Sequence, residues 1–83
     1  MVKTRPRPAV SGVASADRVL TVLTAFQVGD TALSLVELVE RTDLIKSTIM
    51  RLMVSLETYG LVTRLADGRY MLASEVMRLN AVY

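Results

Sequence analysis

One stretch, residues 44–59 (LIKSTIMRLMVSLETY), constrains the fold more than any other because it reads as a helix with two different faces. One face is apolar and is made by Ile45, Ile49, Leu52, Met53 and Leu56, which recur at helical spacing. The rest of the surface carries two cations and small polar or thioether groups, at Lys46, Ser47, Met50, Arg51, Ser55 and Thr58. The first set fits a hydrophobic core. The second offers the groups that contact DNA phosphates and base edges.

A shorter helical pattern at residues 35–41 precedes this stretch, and the tripeptide Thr42-Asp43-Leu44 separates the two. Ser34 and Glu37 match a capping box, in which each side chain satisfies a free backbone N–H near the start of the helix. Two helices joined by a turn of three or four residues predict a helix-turn-helix. Residues 45–59 are then the recognition helix.

The N-terminal segment, residues 1–13, is predicted to be a tail because it contains Pro6, Pro8 and little to bury. Its cations are either a basic arm that becomes ordered on DNA or simply a solvated start of the chain. A first helix is expected at residues 15–27, capped by Ser15. Its predicted buried stripe is Ala16, Val19, Leu20, Leu23 and Phe26. Val22 and Ala25 widen the stripe, which indicates either burial on two sides or a subunit contact.

Two short strand patterns follow Gly60, at residues 61–64 and 69–72, with Asp67-Gly68 as a hairpin turn signal between them. Gly60 is expected to end the recognition helix with a positive φ. Residues 31–33 add a short extended piece. This order predicts a mainly α winged helix-turn-helix whose wing is residues 61–72. Arg64 and Arg69 lie near the tip of that wing, where they either reach DNA or serve as solvated charges.

A last helix is predicted from Glu75 to Tyr83 with Ser74 as its cap, and it is apolar on both sides. The sequence stops within the helical pattern without a capping signal. We therefore expect three segments: a tail at 1–13, the DNA-binding domain at 14–73, and at 74–83 the start of a linker helix to a C-terminal domain absent from the chain. The apolar flanks of the first and last helices are the candidate dimer contacts, namely Val19, Val22, Phe26, Val76, Leu79 and Tyr83.

Composition excludes several other classes of protein. With 83 residues the chain is one small domain, and with no Cys and no His it has no disulfide, zinc finger or Cys/His nucleophile. We expect no metal site, no cofactor, no enzymatic activity and no membrane span, and the lack of cysteine fits the cytoplasm. Residues 1–7 carry three cations and no acid while the whole chain has a net charge of +2, so the remainder has a net charge of −1. DNA binding must therefore depend on where the cations lie.

Five segments in fixed order resemble the N-terminal domain of IclR-type bacterial transcriptional regulators. They are residues 15–23, 35–44, 46–53 (KSTIMRLM), 56–62 (LETYGLV) and 67–72 (DGRYML). The resemblance implies a dimeric repressor or activator that binds a pseudo-palindromic operator on double-stranded DNA. It also implies that a separate C-terminal domain binds a small organic effector. Asp43 stands where the family often has Gly, and Met50 where it often has a polar residue.

The candidate DNA-binding residues are Lys46, Ser47, Thr48, Met50, Arg51, Ser55, Arg64 and Arg69. The resemblance places Lys46, Ser47, Thr48 and Arg51 on DNA and makes Arg69 the wing residue. Ser47 and Thr48 alternatively cap the helix, and Arg51 alternatively pairs with Glu40. Met50 lacks a directional hydrogen bond but can pack on a thymine methyl group. The competing function is a winged-helix module that binds protein, which the apolar Met50 and Val54 favour.

Overall fold

The computed structural model describes residues 12–83; the basic segment at residues 1–7, and with it the question of an arm that binds DNA, lies outside the described residues. Four helices and two strands follow one another as α1 (Ala14–Leu23), α2 (Leu35–Thr42), α3 (Lys46–Thr58), β1 (Val62–Arg64), β2 (Tyr70–Leu72) and α4 (Ser74–Val82). The predicted fold class is confirmed: the domain is mainly helical, with a hairpin wing after the helix-turn-helix. None of the helices within residues 12–83 has the length and apolar character needed to cross a membrane.

Helix α1 is shorter than predicted and begins differently. It starts after Val13, which has extended backbone angles, so the prediction that Ser15 caps it is wrong. It ends at Leu23 because the next residues form their own turn: the Gln27 N–H donates to the Asp30 carboxylate at 2.7 Å, and the Asp30 N–H donates to the Gln27 carbonyl at 3.0 Å. The Gln27 N–H is then no longer available for a helical bond to Leu23.

A single core joins α1, α2, α3 and the wing. Its buried members are Val22, Ala25, Leu33, Leu38, Ile49, Met53, Leu56, Val62 and Tyr70. On α1 the buried centre is Val22, whereas Ala16 and Leu20, both predicted to be buried, are exposed, Leu20 by 55%. Because α1 is apolar around much of its circumference, packing against α2 and α3 decides which side is covered. Val22 is fully buried within the domain, so its assignment to a dimer interface is wrong.

The connection between α2 and α3 is a tight turn at residues 43–45, one residue later than the predicted Thr42-Asp43-Leu44. The capping box is present, with the Glu37 N–H donating to the Ser34 hydroxyl at 3.1 Å and the Ser34 N–H donating to the Glu37 carboxylate at 2.8 Å. Asp43 ends α2 in the left-handed region, at φ 60°, and its N–H donates to the Val39 carbonyl at 2.9 Å. Asp tolerates this conformation better than most residues. An Asp therefore serves here where the family often has Gly.

The end of α3 is fixed by Gly60, as predicted. Gly60 has φ 74°, its N–H donates to the Glu57 carbonyl at 3.0 Å, and the Leu61 N–H donates to the Leu56 carbonyl at 2.9 Å. These two bonds are those of a Schellman motif, which satisfies carbonyls at the end of a helix. The chain consequently reverses direction at a defined point and enters the wing.

The wing is an antiparallel hairpin in which Val62 lies opposite Leu72 and Arg64 opposite Tyr70. Its tip is a three-residue loop, because the Gly68 N–H donates to the Leu65 carbonyl at 2.9 Å and the Leu65 N–H donates to the Arg69 carbonyl at 2.7 Å. Gly68, at φ 92°, occupies the left-handed position that such loops require. Asp67-Gly68 thus predicts the turn correctly. The predicted extended piece at 31–33 contributes one bridge, Leu33 to Tyr70, on the other edge of β2.

Helix α4 starts against the end of α3. The Glu75 N–H donates to the Gly60 carbonyl at 3.1 Å, and the Ala73 N–H donates to the Leu61 carbonyl at 2.9 Å. Ala73, not Ser74, precedes the helix with extended backbone angles, and no side chain caps it. The prediction that Ser74 is the cap is therefore wrong by one residue, because Ser74 already has helical geometry. Helix α4 has no buried residue.

Candidate nucleic-acid interface

Helix α3 separates a buried face from an exposed face as the sequence predicts, except that Ile45, predicted to face the core, precedes the helix and is 67% exposed. Ile49 and Met53 are fully buried and Leu56 is 2% exposed, so these three fix how the helix sits on the core. The opposite side is exposed and carries Ser47, Met50, Arg51, Val54 and Ser55. The structure therefore brings most of the predicted DNA-binding residues of α3 together on one accessible surface, which we call the α3 outer face. Lys46 lies beside it in the first turn.

The cations of α3 are not neutralised within the domain. Lys46 and Arg51 form no ion pair with any residue of the described part of the chain. The alternative in which Arg51 pairs with Glu40 is thus not realised. Both side chains are exposed and free to meet an external anion. By contrast, Arg41, Arg69 and Arg78 each contact a carboxylate.

The first turn of α3 has no side-chain cap. Its flanking residue is Ile45, which offers no acceptor and is 67% exposed. Ser47 and Thr48 do not cap the helix, and within residues 12–83 their hydroxyls form no hydrogen bond, nor does that of Ser55. Free N–H groups at a helix start attract anions such as phosphate. Thr48 is half-buried, so Ser47 is the more accessible of the two hydroxyls.

The two wing arginines differ in their surroundings. The Arg64 guanidinium lies 5.9 Å from the centre of the Tyr70 ring, the residue opposite it in the hairpin, and forms no ion pair in the described residues. Arg69 is paired: its Nε donates to Asp67 Oδ2 at 2.8 Å, and its backbone N–H donates to Asp67 Oδ1 at 3.0 Å. These two donors hold the pKa of Asp67 below its usual range. Of the two side chains, Arg64 is the one whose charge is not offset by a contacting acid.

A second ion pair joins α2 to the loop between α1 and α2 and is not apparent from the sequence. Arg41 on α2 donates through Nη1 to Asp30 Oδ2 at 2.6 Å and through Nη2 to Asp30 Oδ1 at 3.2 Å. Nη1 also donates to the Ala25 carbonyl at 3.0 Å. The guanidinium and then the Gln27 N–H lower the pKa of Asp30. This pair joins residues 11 apart, a separation that no helical or strand period would indicate.

The remaining candidate dimer residues fall into two groups. Val19, Phe26 and Val76 are half-buried, and the first two pack against the core. Leu79 is 51% exposed and Tyr83 is fully exposed. Three further large apolar side chains on α1 and α4 are highly exposed and are not among the predicted dimer contacts: Leu20, Met77 and Val82. Helix α4 therefore presents a mostly apolar surface that the rest of residues 12–83 leaves largely uncovered.

Among residues 12–83, no group of three or more His, Cys, Asp or Glu side chains is arranged to hold a metal ion.

The sequence matches a known family of proteins. A family model, described as the IclR helix-turn-helix domain, matches residues 15–66. That range contains α1 apart from its first residue, together with α2, α3 and the first strand of the wing. No curated protein gives a significant match.

Solved structures are similar over most of the chain. A transcriptional regulator of the IclR family from Rhodococcus sp. is 36% identical, with a TM-score of 0.75 over 98% of this chain and 32% of its own. An IclR-family transcriptional regulator from Brucella abortus is 30% identical, with a TM-score of 0.78 over 86% of this chain and 27% of its own. An IclR homologue from Microbacterium hydrocarbonoxydans, solved in complex with 4-hydroxybenzoate, is 29% identical, with a TM-score of 0.71 over 78% of this chain and 27% of its own. The chain therefore spans about a third of the length of these proteins or slightly less.

Proposed function

Because the chain belongs to the IclR family of helix-turn-helix transcriptional regulators, we propose that it binds double-stranded DNA with α3 in the major groove. The observation that carries this proposal is the α3 outer face, where Arg51 is exposed and unpaired on the side opposite the buried residues of α3, with the exposed and unpaired Lys46 beside it. An unpaired cation binds a phosphate or a guanine more strongly than a cation already bound to a carboxylate, since no internal contact must be broken first.

Each predicted residue with a cation or a hydroxyl group has a role in this proposal. Arg51 donates two hydrogen bonds to a guanine edge, and Lys46 meets a phosphate or a base at the end of α3 that enters the groove. Ser47 and Thr48, with the free N–H groups beside them, bind phosphate, and Ser55 contacts the backbone farther along. In the wing, Arg64 reaches the adjacent phosphates or minor groove. Arg69 reaches them too, while it keeps its ion pair with Asp67.

We propose a homodimer as the unit that binds an operator. Two recognition helices related by a two-fold axis read half-sites about 34 Å apart, one turn of DNA. The exposed apolar residues of α4 supply part of the contact. In this proposal residues 14–73 are the DNA-binding domain, and residues 74–83 lead toward an effector-binding domain of the kind that binds small organic molecules. The complex of the Microbacterium homologue with 4-hydroxybenzoate supports that class of ligand.

The test is a titration of the chain against a random-sequence duplex and against its own upstream DNA, at two salt concentrations. If a dimer neutralises about six phosphates, the affinity should fall with salt with a log–log slope near −5. A clear preference for one duplex would support sequence-specific binding. A dimer that binds neither duplex would contradict the proposal.

A second candidate function is a winged-helix module that binds protein. It is favoured by the exposed Met50 and Val54 on α3 and by the net charge of −1 outside residues 1–7. The same titration distinguishes the two functions, because a protein-binding module has no reason to bind duplex DNA with a steep dependence on salt.

A further inference from the structure

Two apolar side chains stand in the middle of the α3 outer face. Met50 is 42% exposed and Val54 is 61% exposed, whereas other apolar residues of α3 are fully buried in the core. Residues four apart on a helix are neighbours, so Met50 and Val54 form one continuous apolar patch. Arg51 lies next to Met50 in sequence and one turn before Val54, so the patch and the unpaired guanidinium are adjacent.

The spacing of these positions is that of a helix that reads bases. Ser47, Met50, Arg51 and Val54 occupy positions i, i+3, i+4 and i+7. Helices that lie in the major groove in three-helix domains of another class read bases from four positions with this same spacing. Val54 is therefore placed to reach base edges, as Met50 is. The sequence predicts Met50 as a DNA-binding residue but not Val54.

The chemistry of the four side chains limits what they can read. Adenine is recognised by Asn or Gln, and cytosine by Asp or Glu, and none of these four residue types occurs at the four positions. Arg51 is suited to guanine, whereas the hydroxyl of Ser47 can bond to more than one kind of base. The C5-methyl group of thymine is the apolar feature that a base pair presents in the major groove.

We propose that Met50 and Val54 are specificity-determining residues that pack on thymine methyl groups beside the guanine bound by Arg51. This inference rests on the proposed function and adds the base composition of the half-site: thymine next to guanine. The exposed apolar patch is then a reading element and not a surface for another protein.

Charge and area favour DNA over protein as the occupant. From Lys46 to Leu56 the helix has two cations and no acid, which complements a polyanion. Two side chains are also far too small an area for a stable protein interface, which takes about 800 Å² on each partner. The same two side chains are large enough to cover one or two methyl groups in a groove.

The experiment removes the methyl groups from the DNA without altering base pairing. A duplex enriched from a random-sequence library by this protein is resynthesised with deoxyuridine in place of thymidine. We expect the enriched half-site to contain thymine beside guanine, and the affinity to fall about fourfold for each buried methyl lost. A loss from both half-sites would then be about 15-fold.

The protein side of the test uses substitutions of nearly constant shape. V54T replaces one methyl of Val54 with a hydroxyl at an exposed position, so the fold is retained. V36T is the matched control, because Val36 is 66% exposed on α2 and outside the α3 outer face. We expect V54T to weaken binding to the thymine duplex, to leave binding to the uracil duplex nearly unchanged, and V36T to affect neither.

The outcomes separate the inference from the function on which it rests. Equal, salt-sensitive binding of the thymine and uracil duplexes would overturn the reading of methyl groups and leave DNA binding intact. So would a V54T effect of the same size on both duplexes. Failure of any duplex to be enriched would overturn the proposed function, and the inference with it.

Discussion

Arg51 is the residue on which sequence-specific binding most depends, since it is the exposed cation in the middle of α3 with no internal partner among residues 12–83. We expect Arg51→Ala to cost about 1–3 kcal/mol per half-site on the preferred duplex and to relax preference at one base pair. Arg51→Lys should keep the charge and lose most of the discrimination, because an ammonium cannot bind guanine with a planar fork. Affinities for the preferred and singly substituted duplexes measure both effects.

The control for this prediction is Arg18→Ala, which removes the same charge from an exposed position on α1. It should lower affinity less and equally for all sequences. If Arg51→Ala also weakens binding equally for every sequence, Arg51 contacts a phosphate and does not read a base.

The pair between Asp30 and Arg41 predicts a dependence of stability on pH. The guanidinium lowers the pKa of Asp30 in the folded protein. The ionised carboxylate therefore stabilises the fold above the unfolded value of about 3.9, and this contribution is lost as the pH falls through the lower folded value. We expect Asp30→Asn to lower the free energy of unfolding at pH 7, and the difference from the unsubstituted protein to shrink below pH 4.

Urea denaturation at several pH values measures this effect. Glu40→Gln is the matched control, since Glu40 is exposed and has no ion pair with residues 12–83. A difference for Asp30→Asn that stays constant down to the lowest pH would show that the pair with Arg41 does not contribute.

Single residues differ in how far their positions follow from the sequence. The exposure of Arg51 follows directly, because the apolar period of α3 leaves it on the polar side. The burial of Val22 does not, since α1 is apolar on several sides and only the packing of α2 and α3 selects one. The contact of Arg41 with Asp30 depends on the path of the loop between α1 and α2, which no local spacing determines.

Among the helices within residues 12–83, α2 alone has a side-chain cap at its start, and this can be tested against α4. Ser34 accepts a hydrogen bond from the Glu37 N–H, whereas Ser74 makes no capping bond. We expect Ser34→Ala to cost about 1 kcal/mol in the free energy of unfolding. Ser74→Ala should stay within about 0.5 kcal/mol of the unsubstituted protein.

Equal losses in the two variants would contradict the assignment of Ala73 as the residue before α4.

The comparison also shows what sequence can determine about helix starts. Ser34 was identified because Glu37 completes a reciprocal pattern three residues later, whereas Ser15 and Ser74 have no such partner. Without it, the point at which the backbone leaves its extended conformation decides the start, and the preceding turn or strand fixes that point.

At the scale of the whole molecule, the apolar surface of α4 predicts self-association. Leu79 is 51% exposed on a helix with no buried residue. If α4 contributes to the homodimer, Leu79→Asp should shift the protein toward monomer by placing a charge in an apolar contact. Sedimentation equilibrium measures the shift, and circular dichroism should show unchanged helix content.

Val28→Asp is the control for this substitution, since Val28 is 98% exposed in the loop between α1 and α2. It should leave the association constant unchanged. A Leu79→Asp variant that associates as strongly as the unsubstituted protein would remove α4 from the proposed interface.

The hydrogen bonds from Glu75 to Gly60 and from Ala73 to Leu61 hold the two ends of the wing together. The wing therefore begins and ends at the same place, where α3 stops and α4 starts. The loop at its tip, Ala66 to Gly68, takes no part in that junction. The wing can therefore change in length without altering how α3 and α4 are placed relative to each other. Doubling a loop adds only about 0.6 kcal/mol of closure entropy. Among related sequences, insertions and deletions should accordingly concentrate at this tip while the spacing from Gly60 back through α3 stays constant.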